Sequence, residues 1–254
     1  MDDEPKRARL FPTTRSSAIV GARSDDPEER ARSLELIAFT YWKPIYKYAR
    51  FRFDKSPQEA EDITQDFFAK ALERDTFAAY DPARARFRTF LRTCLDRFVI
   101  DHERARTAQK RGGHAETLDL AFDEAEHEIA NAEPPDRDAL AEYFEAEWMR
   151  HLLSISVETL RQECEAKGRT RHFRVFQRLH IEGVLDPPSY AAVAEELSIS
   201  VTDVMNSLTY ARREFRRLVL DSLRLMTGSE DEFRSEARAV LGLSNEDAPD
   251  APDA

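Results

Sequence analysis

Twice in its first 60 residues the chain writes the same helix start. In "SDDPEE", Asp26 stands as N-cap before Pro27, with Glu29 two positions on; in "KSPQE", Ser56, Pro57 and Glu59 repeat the device. A capping side chain, a proline whose missing N–H would have no partner anyway, and a carboxylate near the positive end of the helix dipole together mark a helix and not a strand. Apolar residues then recur at helical spacing. Ile63, Phe67, Phe68, Ala71 and Leu72 make one stripe, and Phe87, Phe90, Leu91, Cys94, Leu95 and Phe98 another. Between them "YDPAR" is a turn, with Pro82 setting the backbone angle and Asp81 free to cap. Leu140, Phe144, Trp148, Leu152, Ile155 and Leu160 form a third stripe that Gly168 ends, and "TRHFRVFQRLHIEG" is a shorter helix closed by Gly183. No strand pattern and no internal repeat interrupt the series. Seven glycines in 254 residues argue against glycine-rich phosphate loops. The predicted fold class is all-α.

Charge divides the chain further. The formal net charge is −11, yet residues 84–111 hold nine arginines and lysines against three acids, and residues 116–147 hold twelve acids against one base. A protein's field acts over about 8–10 Å in salt, so a basic block between acidic ones stays available to an anionic partner. Residues 112–138 are acidic, weakly periodic and contain "EPPD", which predicts a linker. The expected organisation is an N-terminal extension at 1–26, a helical domain at 27–111, the acidic linker at 112–138, a second helical domain at 139–228 and an acidic C-terminal extension at 229–254. Cys94 and Cys164 have no CxxC partner, so neither a disulfide nor a thiolate metal site is expected. No apolar run nears the ~18 residues of a membrane span, and "MDDEPKRARLFPTTR" lacks a signal-peptide core, so a cytoplasmic protein is expected.

Three constellations carry chemistry. In "SYAAVAEELSISVTDVMNSLTYARREFRRL" (189–218), Ser189 caps one short helix with Ala192, Val193 and Leu197 inward, and Ser200 caps a second with Val201, Val204 and Leu208 inward. Such a pair is a helix-turn-helix whose second helix can enter a major groove. Thr202, Asn206 and Thr209 face outward to reach base edges or phosphates, and Arg212, Arg213, Arg216 and Arg217 follow to hold the backbone; the plain alternative is a helical hairpin with a basic solvated face. In "FRTFLRTCLDRF" (87–98), Arg88, Arg92 and Arg97 fall off the apolar stripe, towards water or a partner, and offer sequence-independent attraction to phosphate. In "EAEDITQDFF" (59–68), Glu59, Glu61, Asp62 and Asp66 make an acidic patch that reads as helix-dipole chemistry, as a docking surface for a basic protein or, least favoured because no histidine stands nearby, as a carboxylate metal site at Asp62 and Asp66. The six histidines are scattered, without metal-ligand or nucleophile spacing, so no catalysis, cofactor or metal is expected.

In combination, "AEDITQDFFAKALERDTFAAYDPARARFRTFLRTCLDRFVIDHERA" (60–105) resembles the central domain of bacterial sigma-70-family initiation factors, nearest to the two-domain extracytoplasmic-function group, and residues 189–218 resemble that group's C-terminal helix-turn-helix. The resemblance spans most of 27–228, with termini like those of a subgroup carrying extensions. It implies a sigma domain 2 bundle and a sigma domain 4 joined by the linker. It also implies a factor that binds core RNA polymerase at the β′ clamp helices and β flap, recognises −10 and −35 promoter elements and helps melt the −10 region, without being an enzyme. Carried over by position, Glu59, Asp62, Gln65, Asp66 and Phe67 would meet the clamp helices. Tyr80, Asp81, Arg84, Arg86, Phe87, Arg88, Arg92, Arg97 and Arg104, with the basic end to Arg111, would hold the −10 strand and a flipped base, whose unstacking costs a few kcal/mol. Ser200, Thr202, Asn206, Thr209, Arg212, Arg213 and Arg216 would serve the −35 element, and the acidic linker would thread the polymerase's basic channel.

Two departures stand out. The centre of the second helix reads Met205-Asn206-Ser207 where the family carries a basic residue, and Asp203 precedes it, which disfavours DNA unless Asp203 caps its own helix or accepts from a cytosine. The longer linker and the C-terminal extension could fold back onto a basic surface and inhibit it. An anti-sigma factor or a Ser/Thr kinase is a further implied partner; Thr64 is the residue a kinase would use, a phosphate adding about −1.5 to −2 of charge there, against the plainer reading of a helix threonine bonding its own backbone. Two rival readings are a stand-alone helix-turn-helix regulator and a sigma-like interaction factor that has lost DNA binding.

Overall fold

The computed structural model describes residues 17–73, 76–108, 120–183 and 186–242. Outside the described residues lie most of the expected N-terminal extension, the basic end at 109–111, the start of the expected linker and the acidic tail from 243. Ten α-helices and no strand are found among the described residues, as the helix signals predict. The chain divides into two compact units: Leu152–Ser222, and the described part of 13–151 together with 223–242.

The larger unit is built on α2 (Pro27–Arg52), which follows the short α1 (Ala18–Gly21). The Asp26 carboxylate accepts the Glu28 N–H at 3.0 Å and Pro27 opens the helix, as read from the sequence. α2 continues through Pro44. An interior proline costs about 3 kcal/mol, and the surrounding burial of Tyr41, Trp42, Ile45, Tyr46 and Ala49 offsets it. α3 (Pro57–Glu73) starts with a reciprocal cap: Glu59 N–H donates to Ser56 Oγ at 3.3 Å and Ser56 N–H to Glu59 Oε2 at 3.2 Å. It buries Ala60, Ile63, Phe67, Phe68 and Ala71. A 3-10 turn at Thr76–Ala79 leads to α4 (Phe87–Ala108), whose deepest face is Phe87, Leu91, Leu95 and Val99. Phe90, Cys94 and Phe98 flank that face half-buried.

The expected acidic linker is corrected in its described part. Residues Phe122–Ala130 form α5, which packs on α2. Phe122 meets Trp42 and Tyr46 at ring-centroid distances of 5.3 and 5.0 Å. Glu124 and Glu128 hold Lys43 at 3.0 and 2.9 Å, Glu128 and the buried Glu147 each hold Lys47 at 2.6 Å, and Glu126 holds Arg50 at 2.6 Å. Lys43 and Lys47 are buried, and a buried ammonium requires a carboxylate partner. The acids that read as channel-threading charge are therefore the counter-ions of α2. Leu140, Phe144 and Trp148, from the first half of α6 (Leu140–Ala166), complete this core.

The smaller unit packs the second half of α6, α7 (Thr170–His180), α8 (Tyr190–Glu196) and most of α9 (Val201–Leu225) around Leu160, Phe173, Phe176, Val193, Val204, Leu208 and Leu218. α10 (Glu230–Leu241) belongs to the larger unit.

Candidate nucleic-acid interface

Three surfaces carry the predicted residues. On α3, Asp62 is exposed, whereas Glu59, Gln65 and Asp66 are half-buried and Phe67 is buried. Glu59 serves the helix start described above, Gln65 reaches Glu61 at 3.4 Å, and Asp66 lies 3.1 Å from His102 Nε2 on α4. Phe67 packs edge-on against Phe98 at 5.5 Å. Of the acidic patch on α3, Asp62 is thus the exposed carboxylate. Thr64 has no exposed surface, and its hydroxyl donates to the Ala60 carbonyl at 2.7 Å. The expectation of a phosphorylation switch at Thr64 is corrected: burial within the α3 core face leaves a kinase no access.

The second surface is the turn and helix start at 80–88. Asp81 and Arg84 are exposed; Asp81 caps its own turn through the Ala83 N–H at 3.0 Å and pairs with Arg84 at 3.3 Å. Arg97 and Arg104 are exposed and Arg92 is half-buried, with Arg104 lying 3.5 Å from Asp101. Tyr80, Phe87 and Arg88 depart from the open −10 surface that the resemblance implies, although burial of Phe87 agrees with its place on the apolar stripe. All three are buried, at 4%, 1% and 5% exposure. The Tyr80 hydroxyl donates to Glu232 Oε2 and the Phe87 backbone N–H to Glu232 Oε1, each at 2.8 Å. Arg88 forms ion pairs with Glu145 and with Glu236, and its guanidinium lies 4.4 Å from the centre of the Trp148 ring. Burial opposes the Arg88 charge, but the two carboxylates outweigh it and hold the guanidinium above its ordinary value. Arg86 pairs with Glu236 at 3.2 Å and with the Ser235 hydroxyl at 3.3 Å. The reading of Arg88 as an outward cation is therefore corrected: α10 and α6 supply the carboxylates that let it go inside.

The N-terminal segment closes on the same turn. Arg23 donates to the carbonyls of Phe77, at 3.0 Å, and of Tyr80, and Ser17 Oγ donates to the Thr227 carbonyl at 2.5 Å. Gly228 is required there: a Cβ would come within 2.9 Å of the Tyr80 ring.

The third surface lies on α9. Thr202, Asn206, Thr209, Arg212, Arg213 and Arg216 are exposed at spacings of three and four residues, so they share one face. Met205, which sequence reading did not place there, joins them at 52% exposure; its spacing of three from Thr202 is the signal that marks it. Thr209 spends its hydroxyl proton on the Met205 carbonyl at 2.9 Å. Ser200 and Asp203 form a reciprocal cap: Asp203 N–H donates to Ser200 Oγ at 3.0 Å and Ser200 Oγ donates to Asp203 Oδ2 at 2.7 Å. The Ser200 hydroxyl is engaged in that cap, which also draws the Asp203 carboxyl below its ordinary value. Val201 is 44% exposed and not inward as expected, because it opens the helix beside the cap. Arg213 pairs with Glu214 at 3.1 Å. Arg212 donates to His180 Nε2 at 2.9 Å, and burial, with the Arg212 charge, holds the His180 imidazole below its ordinary value. Arg217 is tied to Glu163, Asp221 and Glu214 at 2.8, 2.9 and 3.2 Å. The turn before α9 carries Ser198 at φ 53°, where its N–H and that of Ile199 bond back to Glu195 and Ala194.

Among the described residues no helix is long and apolar enough to cross a membrane, and no group of three or more His, Cys, Asp or Glu is placed to hold a metal ion.

Residues 39–109, most of α2 with α3, the 3-10 turn and α4, match the family model described as Sigma-70 region 2. That stretch supports a sigma-70-family sigma factor with a role in transcription initiation, a domain that implies interaction with core RNA polymerase and promoter DNA. Neither the curated proteins nor the solved structures contain a match to this chain.

Proposed function

We propose that the chain is a sigma factor of the extracytoplasmic-function group, directing core polymerase to promoters and assisting melting of the −10 region. The observation that carries this reading is the Sigma-70 region 2 match over α2–α4. Exposed Asp62 on α3 supplies a carboxylate for the basic clamp helices of polymerase. Arg92, Arg97 and Arg104 on α4 supply cations for the −10 strand. α8 and α9 act as a helix-turn-helix whose open face, from Thr202 to Arg216, reads the −35 element. With Asp203 engaged in its own cap, the objection that a carboxylate faces the DNA loses its force. Polymerase supplies the chemistry.

Run-off transcription with purified core polymerase and a promoter library tests the reading. Core binding followed by open complexes at a defined promoter class is the expected result; no core binding at modest salt ends it. Burial of Tyr80 and Phe87 favours one second reading, a sigma-like interaction factor that binds core without opening DNA. Tight operator binding without polymerase would instead indicate a stand-alone regulator.

A further inference from the structure

We infer that α10 is an internal competitor for the −10 strand: its carboxylates occupy the Tyr80–Arg88 surface and must leave before that surface can hold DNA. The inference rests on the sigma reading above and adds a regulatory element to it.

Four observations carry it. Glu232 and Glu236 stand four residues apart on α10, so both lie on one face. That face is buried, with Glu232, Phe233, Glu236 and Ala237 all inside. The groups they engage are those an anionic strand would need: the Tyr80 hydroxyl, the Phe87 N–H at the start of α4, and the Arg86 and Arg88 guanidinia. A helix N-terminus and paired arginines attract phosphate as readily as carboxylate. Finally, the buried Glu236 carboxylate lies between the two guanidinia, paired with Arg86 at 3.2 Å and with Arg88. A place between two arginines suits a phosphate as well as a carboxylate.

The helix is also built as a separable piece. Ser229 caps it through the Glu232 N–H at 3.2 Å, and Gly242, at φ 62°, closes it by donating to the Arg238 carbonyl. Its own ends are therefore satisfied without the surface it covers. A strand entering the 80–88 turn finds the Arg88 guanidinium, the Tyr80 hydroxyl and the Phe87 N–H already taken by buried carboxylates of α10, so full-length protein engages promoter poorly until core polymerase presents melted DNA at high local concentration.

The test uses the full chain with core polymerase and a promoter that the factor opens. Glu236→Gln is compared with the unaltered protein, with core affinity and circular dichroism measured alongside. The expected result is unchanged core affinity and at least a fivefold rise in open complexes. Because the variant disturbs a buried pair, amide hydrogen exchange is also read on the unaltered protein: the Phe87 and α10 amides should lose protection at least tenfold in the open complex and keep it with core alone. Open complexes in which α10 stays protected, or a folded Glu236→Gln protein with no gain in opening, would overturn the inference while leaving the sigma reading intact. Absence of core binding in both proteins would overturn the sigma reading and the inference with it.

Discussion

The Glu232 carboxylate accepts a 2.8 Å hydrogen bond from the hydroxyl of Tyr80, 152 residues earlier in the chain. Its second oxygen accepts the Phe87 N–H, and the Gly228 N–H adds a third bond at 2.7 Å. One side chain thus serves the starts of two helices, α4 and α10, at donors with no partner inside their own helix. Glu232→Ala should strand a buried hydroxyl and a buried N–H, each costing about 1–3 kcal/mol, whereas Tyr80→Phe should cost about 1 kcal/mol. Urea unfolding of the two variants checks the ranking; equal losses would show that the carboxylate acts through packing alone.

Arg88 and Arg97 sit on the same helix and should separate cleanly. Arg88→Ala leaves Glu236 buried without its closest counter-charge and should destabilise the larger unit by about 3–5 kcal/mol. Arg97→Ala should change stability by less than about 0.5 kcal/mol and instead weaken −10 strand binding in the polymerase complex. Thermal melts and a fluorescent single-strand binding assay read the two effects independently.

His151 gives a pH dependence of known sign. Burial pushes its imidazole down to about 4, while its Nε2–H donates to the Phe39 carbonyl at 3.0 Å. An unfolded histidine titrates near ~6.5. Between those values the unfolded chain binds the extra proton, so stability falls as pH drops from about 6.5 towards 4, by up to about 1.4 kcal/mol per pH unit. Above that window the group contributes no pH dependence. His151→Gln should flatten the difference between urea midpoints at pH 7 and pH 5; an unchanged slope would assign the acid sensitivity to carboxylates.

Asp62 is the exposed carboxylate of the α3 patch. Asp62→Arg should leave stability within about 0.5 kcal/mol and weaken core polymerase binding by about tenfold or more, ~1.4 kcal/mol. Retained core affinity in a folded variant would place the polymerase contact on another face.

On the proposed reading, exposed Asn206 would contact bases while Asp203 caps α9 through Ser200. Asn206→Ala should leave the helix intact and cost about 1–3 kcal/mol in −35 discrimination, the range of a lost base contact. Asp203→Ala should cost about 1 kcal/mol of stability through its cap and leave −35 discrimination unchanged. Footprinting with core polymerase, alongside chemical denaturation, separates them.

Local rules were enough wherever a residue's partner lies within one helical turn. Asp26, Ser56, Ser189 and Ser200 cap as their neighbours dictate, and Ile63, Phe67, Leu91, Leu95, Val204 and Leu208 go inside because helical spacing puts them on one face. The all-α class and the outward face of α9 followed from the same short-range periodicities. What sequence alone did not decide is where the charges go. Arg88 reads as an outward cation and is buried, Lys43 and Lys47 are buried with nothing in their local sequence to mark it, and glutamates of the expected linker and C-terminal extension, on α5 and α10, are among their counter-ions. An ion pair has no sequence period. Whether a charged side chain enters a core depends on an opposite charge arriving there from a distant segment, and only the tertiary fold brings Glu232 and Glu236 to Tyr80 and Arg88.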